Sequence, residues 1–126
     1  MSKSFLTDEK TPIMYFKNKV EQFIMQREWK KYHAPKNLIQ ALQIEVSELS
    51  ELFLFKEYLK EDILKNKKLY ESICNEVADI FIYLISFVNS LNIDLTNAFI
   101  KKMKINEKKY PIDEFNGGIY YKKDSQ

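Results

Sequence analysis

Apolar residues recur along this chain at three- and four-residue spacing, the pattern of amphipathic helices rather than of strands. In the first helix, Thr11 is expected as the N-cap and Pro12 as the first helical residue. This helix should end near Lys31, because the residue before Pro35 disfavours helical backbone. Three more long helices are expected at about Asn37 to Phe55, Leu69 to Leu91 and Leu95 to Lys109.

The segments between these helices carry helix-ending signals. Tyr58 to Lys68 is charged and weakly periodic, so a loop or a short helix is expected there. Asp94 follows a break and should cap the fourth helix, which Pro111 ends. The pattern therefore predicts an all-α bundle of four main helices. A single domain is expected over 1–126, with its core at about 11–111 and an irregular tail at 112–126.

Composition agrees with this picture and limits the function classes. Two glycines and three prolines in 126 residues leave little punctuation for hairpins, and 45% hydrophobic with 30% charged residues is a globular balance. A net charge of +2 gives no support for a nucleic-acid partner. The longest apolar run, Ile80 to Val88, is much shorter than the ~20 residues that a membrane span needs. With a single cysteine, Cys74, and no apolar signal at the N-terminus, a soluble cytoplasmic protein is expected.

Acidic residues interrupt two of the apolar stripes at equivalent positions. At about 100° per residue, Glu45 falls in the middle of the second helix's stripe and Glu48 at its edge. On the third helix, Glu76 lies within the stripe and Asp79 at its edge. Each helix therefore presents two carboxylates at i, i+3 on one face.

Four carboxylates that face one another in apolar surroundings need a counter-charge. Buried carboxylates are unfavourable unless they are protonated, paired or bound to a cation, and Mg²⁺ takes oxygen ligands and often bridges to substrate phosphates. The pattern predicts a Mg²⁺ site, with Mn²⁺ as a substitute. A di-iron centre would use Glu-x-x-His motifs, whereas the only histidine, His33, lies outside these helices. The alternative is that the pairs face solvent, as most charged pairs on helices do.

A mixed aromatic and basic segment ends the first helix, from Arg27 through Trp29 and Lys30 to His33. Aromatic rings stack on nucleobases, and basic groups meet phosphate. Core packing of Trp29 and a capping or surface position for His33 are the alternatives.

The last helix carries a further candidate set, since Lys102, Asn106 and Tyr110 recur at i, i+4 and i+8 on one face. A lysine neutralises phosphate charge, and an asparagine hydrogen-bonds a base or a sugar. A solvated polar face is the alternative for these three residues.

Four sequence blocks follow one another between about Phe23 and Pro111. Two contain the acids, as Glu45-x-x-Glu48, then 27 residues, then Glu76-x-x-Asp79. The blocks are REWKKYHAPKNL, EVSELSELFLFK, EVADIFIYL and KMKINEKKYP. Together they resemble the MazG-type all-α NTP pyrophosphohydrolases and, within them, the dCTP pyrophosphatase branch.

This resemblance implies cleavage of a (deoxy)nucleoside triphosphate to its monophosphate and pyrophosphate, dependence on Mg²⁺, and assembly as a homodimer or a dimer of dimers. By position, Glu45, Glu48, Glu76 and Asp79 would bind the metal, and Glu45 or Glu48 would orient or deprotonate the attacking water. The residues that would contact the nucleotide are Arg27, Trp29, Lys30, His33, Phe55, Tyr83, Lys102, Asn106 and Tyr110.

Two positions depart from the family pattern and bear on the choice of base. Phe55 stands where relatives carry tryptophan, and Val20 where some carry a pocket histidine. The predicted function is a Mg²⁺-dependent enzyme that clears dNTPs, with dCTP or a modified dCTP as the expected substrate. The alternatives are a non-catalytic helical oligomeric adaptor, which the four intact acids disfavour, and a phosphoribosyl-ATP pyrophosphohydrolase-like enzyme, which the Trp29 to Leu38 block disfavours.

Overall fold

The computed structural model describes residues 6–118, and every regular element in this range is a helix. The predicted all-α class is confirmed. The α-helices are α1 Ile13–Gln26, α2 Pro35–Glu51, α3 Lys60–Lys65, α4 Lys67–Ser90, α5 Leu95–Lys109 and α6 Ile112–Phe115, with short 3₁₀ helices at Lys30–Tyr32 and Asn116–Gly118.

The chain divides into two compact units, one that ends at Ile93 and one that begins at Asp94. In the first unit, α2 packs along α4 in the most extensive helix pair, and α1 packs on α4 as well. The second unit contains α5 and α6. The single domain expected over 1–126 stays a prediction. The buried apolar residues of the described range are Ile24, Leu38, Ile85 and Val88.

Two long-range hydrogen bonds fasten α1 to the end of α4. The Lys17 ammonium donates to the carbonyl of Ile93 at 2.6 Å, and the Asn89 amide nitrogen donates to the carbonyl of Lys17 at 3.1 Å. Both bonds are partly buried, where exchange with water is limited. They set the position of α1 over the second half of α4.

The limits of α1 differ from those predicted. Pro12 rather than Thr11 is the N-cap, and the Thr11 hydroxyl donates instead to the carbonyl of Thr7 at 2.7 Å. The helix ends at Gln26 rather than near Lys31, because Glu28 has a φ of +56°, in the left-handed region that a right-handed helix cannot include.

This left-handed residue also folds the next side chain back onto α1. The backbone N–H of Trp29 donates to the carbonyl of Ile24 at 3.1 Å. The Trp29 ring then meets the ring of Phe23 edge to face, with centroids 5.8 Å apart. A turn that the sequence pattern did not predict therefore positions the chain's single tryptophan.

The second long helix is displaced relative to the prediction at both ends. It begins at Pro35 rather than at Asn37, since proline fits the first helical position, where no N–H bond is needed. It ends at Glu51 rather than near Phe55, and the turn that follows places Phe55 at a φ of +59° with 96% of its surface exposed.

The remaining boundaries follow their capping residues. A short helix, α3, occupies part of the segment where a loop or a short helix was predicted. The Asn66 side chain accepts from the Leu69 N–H at 3.0 Å and starts α4, and Asp94 accepts from the Asn97 N–H at 2.9 Å and caps α5 as predicted. The predicted irregular tail instead contains α6, and its tyrosines, Tyr120 and Tyr121, lie outside the described residues.

Among the described helices, none by itself combines the length and the apolar character that a membrane crossing requires. The pair Lys67–Ser90 and Leu95–Lys109 meets that test only when both helices are counted together.

Candidate functional site

The packing of α2 along α4 brings the acidic residues together. Glu45, Glu76 and Asp79 offer carboxylate oxygens that all lie within 4.8 Å of one another. Glu48, one turn after Glu45 on α2, is close enough to hydrogen-bond with Glu45 and Glu76. The two i, i+3 pairs thus meet across the α2–α4 interface, and their role as metal ligands stays a prediction.

Two oxygens of this cluster are buried without a partner. Among the residues that the structure describes, neither Oε2 of Glu45 nor Oε2 of Glu76 has a hydrogen-bond partner. Because an ionised carboxylate only accepts, a hydrogen bond between two of these carboxyl groups requires one of them to be protonated. Burial, followed by the hydrogen bond with Glu48 and the charge of Glu48, raises the pKa of Glu45 to about 7. Burial is also the largest cause that raises the pKa of Glu76.

This chemistry fits a hard divalent cation. The donor set consists of carboxylate oxygens alone, which Mg²⁺ and Mn²⁺ prefer and which softer metals do not favour. A cation at this position would satisfy the two buried oxygens and offset the repulsion that raises the pKa of Glu45. The described residues therefore have what a Mg²⁺ site needs.

The raised pKa predicts that the metal-free protein loses stability as pH rises. The pKa of Glu45 is about 7 in the folded chain against an ordinary value of 4.5, so the folded state holds more protons than the unfolded chain between these values. Its contribution is fully present below pH 4.5 and is lost as pH rises through about 7. In chelator, the melting temperature should fall between about pH 5 and about pH 7.5, and Glu45→Gln should reduce that fall.

The matched control for this measurement is Glu51→Gln, an exposed glutamate on the same helix, which should leave the pH profile as it is in the parent protein. Equal pH profiles for the Glu45 and Glu51 variants would contradict the assignment of the effect to the cluster.

An aromatic cavity of about 410 Å³ lies beside the acids, lined on one side by α1 and on the other by α4. Phe16 of α1 meets Phe81 of α4 edge to face, with ring centroids 5.1 Å apart. The aromatic residues that line the cavity are Phe16, Phe23, Trp29, Phe81 and Tyr83, and the other lining residues are Lys19, Val20, Ile24, His33, Glu45, Asp79, Ile82 and Ser86. A flat apolar group bearing a negatively charged end, as in a nucleotide, would suit a cavity with aromatic walls and carboxylates that a cation could bridge to that end.

Several predicted ligand-contacting residues meet in this cavity. Trp29, His33 and Tyr83 line it together with Glu45 and Asp79. The Nδ1 atom of His33 is buried and finds no hydrogen-bond partner among the described residues. The sequence blocks that suggested these residues are thus adjacent in space, and their roles stay predictions.

Other predicted residues of the first unit lie elsewhere. The guanidinium of Arg27 stacks 3.7 Å above the Phe23 ring, and Lys30 forms a 2.8 Å ion pair with Glu21. Lys30 lines a second, polar cavity of about 380 Å³, which shares Ile24, His33 and Ser86 with the aromatic one. Phe55 lines neither of these two cavities.

The predicted residues of the last long helix belong to the second unit. Lys102 and Asn106 lie on α5, and Tyr110 follows as its C-cap. The Tyr110 ring packs against Phe115, with centroids 5.2 Å apart. Contact of these three residues with a nucleotide stays a prediction.

The structure also adds lining residues that sequence reasoning missed as ligand contacts. Phe16 and Phe23 lie at helical spacing within α1, and an apolar stripe that lines a cavity has the same periodicity as one that fills a core. Nothing in the sequence pattern marked Lys19 as a ligand contact. Ser86 could have been marked, because it is a polar residue inside the longest apolar run, as the acids are polar residues within their apolar stripes.

Comparisons with known proteins agree on one family. The model of the MazG-like family matches residues 41–122. The dCTP pyrophosphatase 1 of Rattus norvegicus is 35% identical over 92 residues, which cover 72% of this chain and 54% of that protein. The human dCTP pyrophosphatase 1 is 34% identical over 93 residues, with 71% and 54% covered. The chain therefore spans about half the length of the curated relatives that it matches.

A solved structure extends the likeness to the fold. The crystal structure of a pyrophosphatase from Archaeoglobus fulgidus is similar with a TM-score of 0.71 and 30% sequence identity. The match covers 87% of this chain and 99% of that one.

Proposed function

We propose, from the premise that this chain belongs to the MazG-like family, that it is a divalent-metal-dependent nucleotide pyrophosphohydrolase acting on dNTPs. The observation that carries the proposal is the meeting of four carboxylates, two of which, Glu45 and Asp79, line an aromatic cavity. The dCTP pyrophosphatases among its relatives make dCTP, or a modified dCTP, the substrate of choice. Clearing such nucleotides from the cytoplasmic pool would be its role.

In this proposal, the two ends of the nucleotide bind different lining residues of the cavity. Glu45 and Asp79 mark the acidic end, where the triphosphate and its cation would bind. Trp29 and Tyr83 offer ring faces for the base. Lys19 also lines the cavity and would meet phosphate charge from α1.

The reaction is an in-line displacement at the α-phosphorus. A water oxygen forms a bond to that phosphorus. At the same time, the bond between the phosphorus and the oxygen that bridges the α- and β-phosphates breaks, and pyrophosphate leaves with the electron pair. Glu45 or Glu48 would orient the water and take its proton. When bound by the four acids, the cation would neutralise phosphate charge and polarise the phosphoryl oxygens.

The products provide the direct test. Incubated with each NTP and dNTP plus Mg²⁺, the protein should release pyrophosphate and the nucleoside monophosphate, with dCTP among its best substrates. Excess chelator should stop the release, and Mn²⁺ should restore it. Orthophosphate as the first product would rule out α–β cleavage, and a lack of any turnover would favour the non-catalytic adaptor.

Assembly into a dimer or tetramer belongs to the same proposal. Ile44 and Val46 on α2 and Val77 on α4 are about half exposed, as are many other apolar side chains of the described range. Apolar side chains exposed in this way become buried when subunits associate, which favours assembly. Light scattering at several concentrations would determine the state.

A further inference from the structure

Ser86 is the one buried polar residue of the described range, with 5% of its surface exposed. It lies on the second half of α4, between Ile85 and Phe87 in sequence. Its hydroxyl donates to the carbonyl of Ile82 at 3.0 Å, one turn earlier on the same helix. The proton of this hydroxyl is therefore committed, and the oxygen has lone pairs left to accept.

Ser86 and Asp79 line the same cavity but lie two turns apart along α4. It lines the aromatic cavity at the wall shared with the polar one, together with Ile24 and His33. Asp79 lies seven residues earlier on α4, which corresponds to about 10 Å along the helix axis. A nucleoside with its α-phosphate at Asp79 spans a distance of that order to the far edge of its base.

Three of the residues that line the cavity follow one another along α4. Asp79 is at the phosphate end, Tyr83 follows one turn later, and Ser86 comes almost one turn after that. All three line the same cavity, and their i, i+4, i+7 spacing places them on one face of the helix. Along α4, an acid, an aromatic ring and a hydroxyl therefore follow one another in the same order as the phosphate, the sugar or base face, and the base edge of a nucleotide.

We propose that Ser86 is a specificity-determining residue that accepts a hydrogen bond from an exocyclic amino group on the pairing edge of the base. This inference rests on the proposed function and names the chemistry of its substrate, an amino base such as cytosine rather than an oxo base such as uracil. An amino group donates to the acceptor that Ser86 presents. An oxo group would place acceptor against acceptor, or require the Ser86–Ile82 bond to break.

The neighbouring polar group does not supply the same discrimination. Neutral His33 has one donor nitrogen and one acceptor nitrogen, so it accommodates either an amino or an oxo group. The third residue of the wall shared by the two cavities, Ile24, is apolar. At this wall, the serine oxygen is therefore the polar atom that can separate the two base types.

The test compares dCTP with dUTP, which differ at this edge by amino against oxo, in the parent chain and in Ser86→Ala. The kcat/KM ratio of dCTP to dUTP should fall by about fivefold or more in the variant, the range expected for loss of one hydrogen bond. Trp29 lines the cavity and is the chain's single tryptophan, so its fluorescence reports binding of dCMP and dUMP without turnover. The ratio of their Kd values should shift by a similar factor.

Ser90→Ala is the matched control. Ser90 lies four residues later on α4, its hydroxyl also donates to the preceding turn, to Phe87 at 2.7 Å, and it lines only the polar cavity of the two. This variant should keep the parent ratios, and both variants should keep the parent melting temperature within a few degrees. An unchanged dCTP to dUTP ratio in Ser86→Ala, or an equal change in both variants, would overturn the inference. No turnover of any nucleotide by the parent protein would instead overturn the proposed function, and the inference with it.

Discussion

Asp79→Asn and Glu48→Gln should each lower kcat for the preferred dNTP by about a thousandfold or more while the helix content stays unchanged. Each substitution removes a negative charge from a cluster whose oxygens lie within a few ångströms of one another. A thousandfold loss corresponds to about 4 kcal/mol of transition-state stabilisation, the size that a metal-assisted step supplies. The measurement is pyrophosphate release at saturating substrate, paired with circular dichroism.

Glu51→Gln is the control for these variants. Glu51 lies three residues after Glu48 on α2, is exposed, and belongs to no part of the cluster. Its variant should keep the parent kcat. Full activity in both the Asp79 and the Glu48 variants would contradict the metal assignment, and equal losses in the Glu48 and Glu51 variants would point to damage to α2.

Mg²⁺ together with a non-hydrolysable dCTP analogue should raise the melting temperature by about 10 °C at a hundred times the dissociation constant. Ligands that bind only the native state stabilise it by about 2.7 kcal/mol at that concentration. For a chain of this length, each kcal/mol raises the midpoint by about 4 °C. Calorimetry or dye-based melting at several ligand concentrations would measure the shift.

The same experiment separates an enzyme from a helical adaptor. An adaptor that only retains the fold has no reason to bind the pair of ligands, so its midpoint would not move. Asp79→Asn should show a much smaller shift than the parent protein at the same concentrations. A full shift in that variant would mean that the nucleotide is held without the cluster.

Helix phase was enough to predict the fold class and the meeting of the acids. The three- and four-residue spacing fixes which residues share a face, so Glu45 and Glu76 could be assigned to the faces along which α2 and α4 pack. Capping chemistry predicted the start of α5 at Asp94, since an aspartate before a helix accepts an N–H of the first turn.

The remaining differences come from backbone and packing that periodicity does not encode. Glu28 and Phe55 adopt positive φ values that few residues of their type adopt, so the spacing of apolar residues does not predict the turns at these positions. A cavity wall and a core wall carry the same apolar period, so Phe16 and Phe81 could not be assigned to the cavity before their helices were placed.

The two bonds between α1 and the end of α4 have a dynamic consequence. The acids are held by the extensive α2–α4 interface, whereas the aromatic wall depends on α1, which Lys17 and Asn89 fasten to α4. Segments with fewer packed contacts open first in local unfolding. Excursions of α1 would therefore open the aromatic side of the cavity while the carboxylates stay assembled. Amide exchange should be faster on α1 than on α2 and α4, and ligand should slow it most on α1.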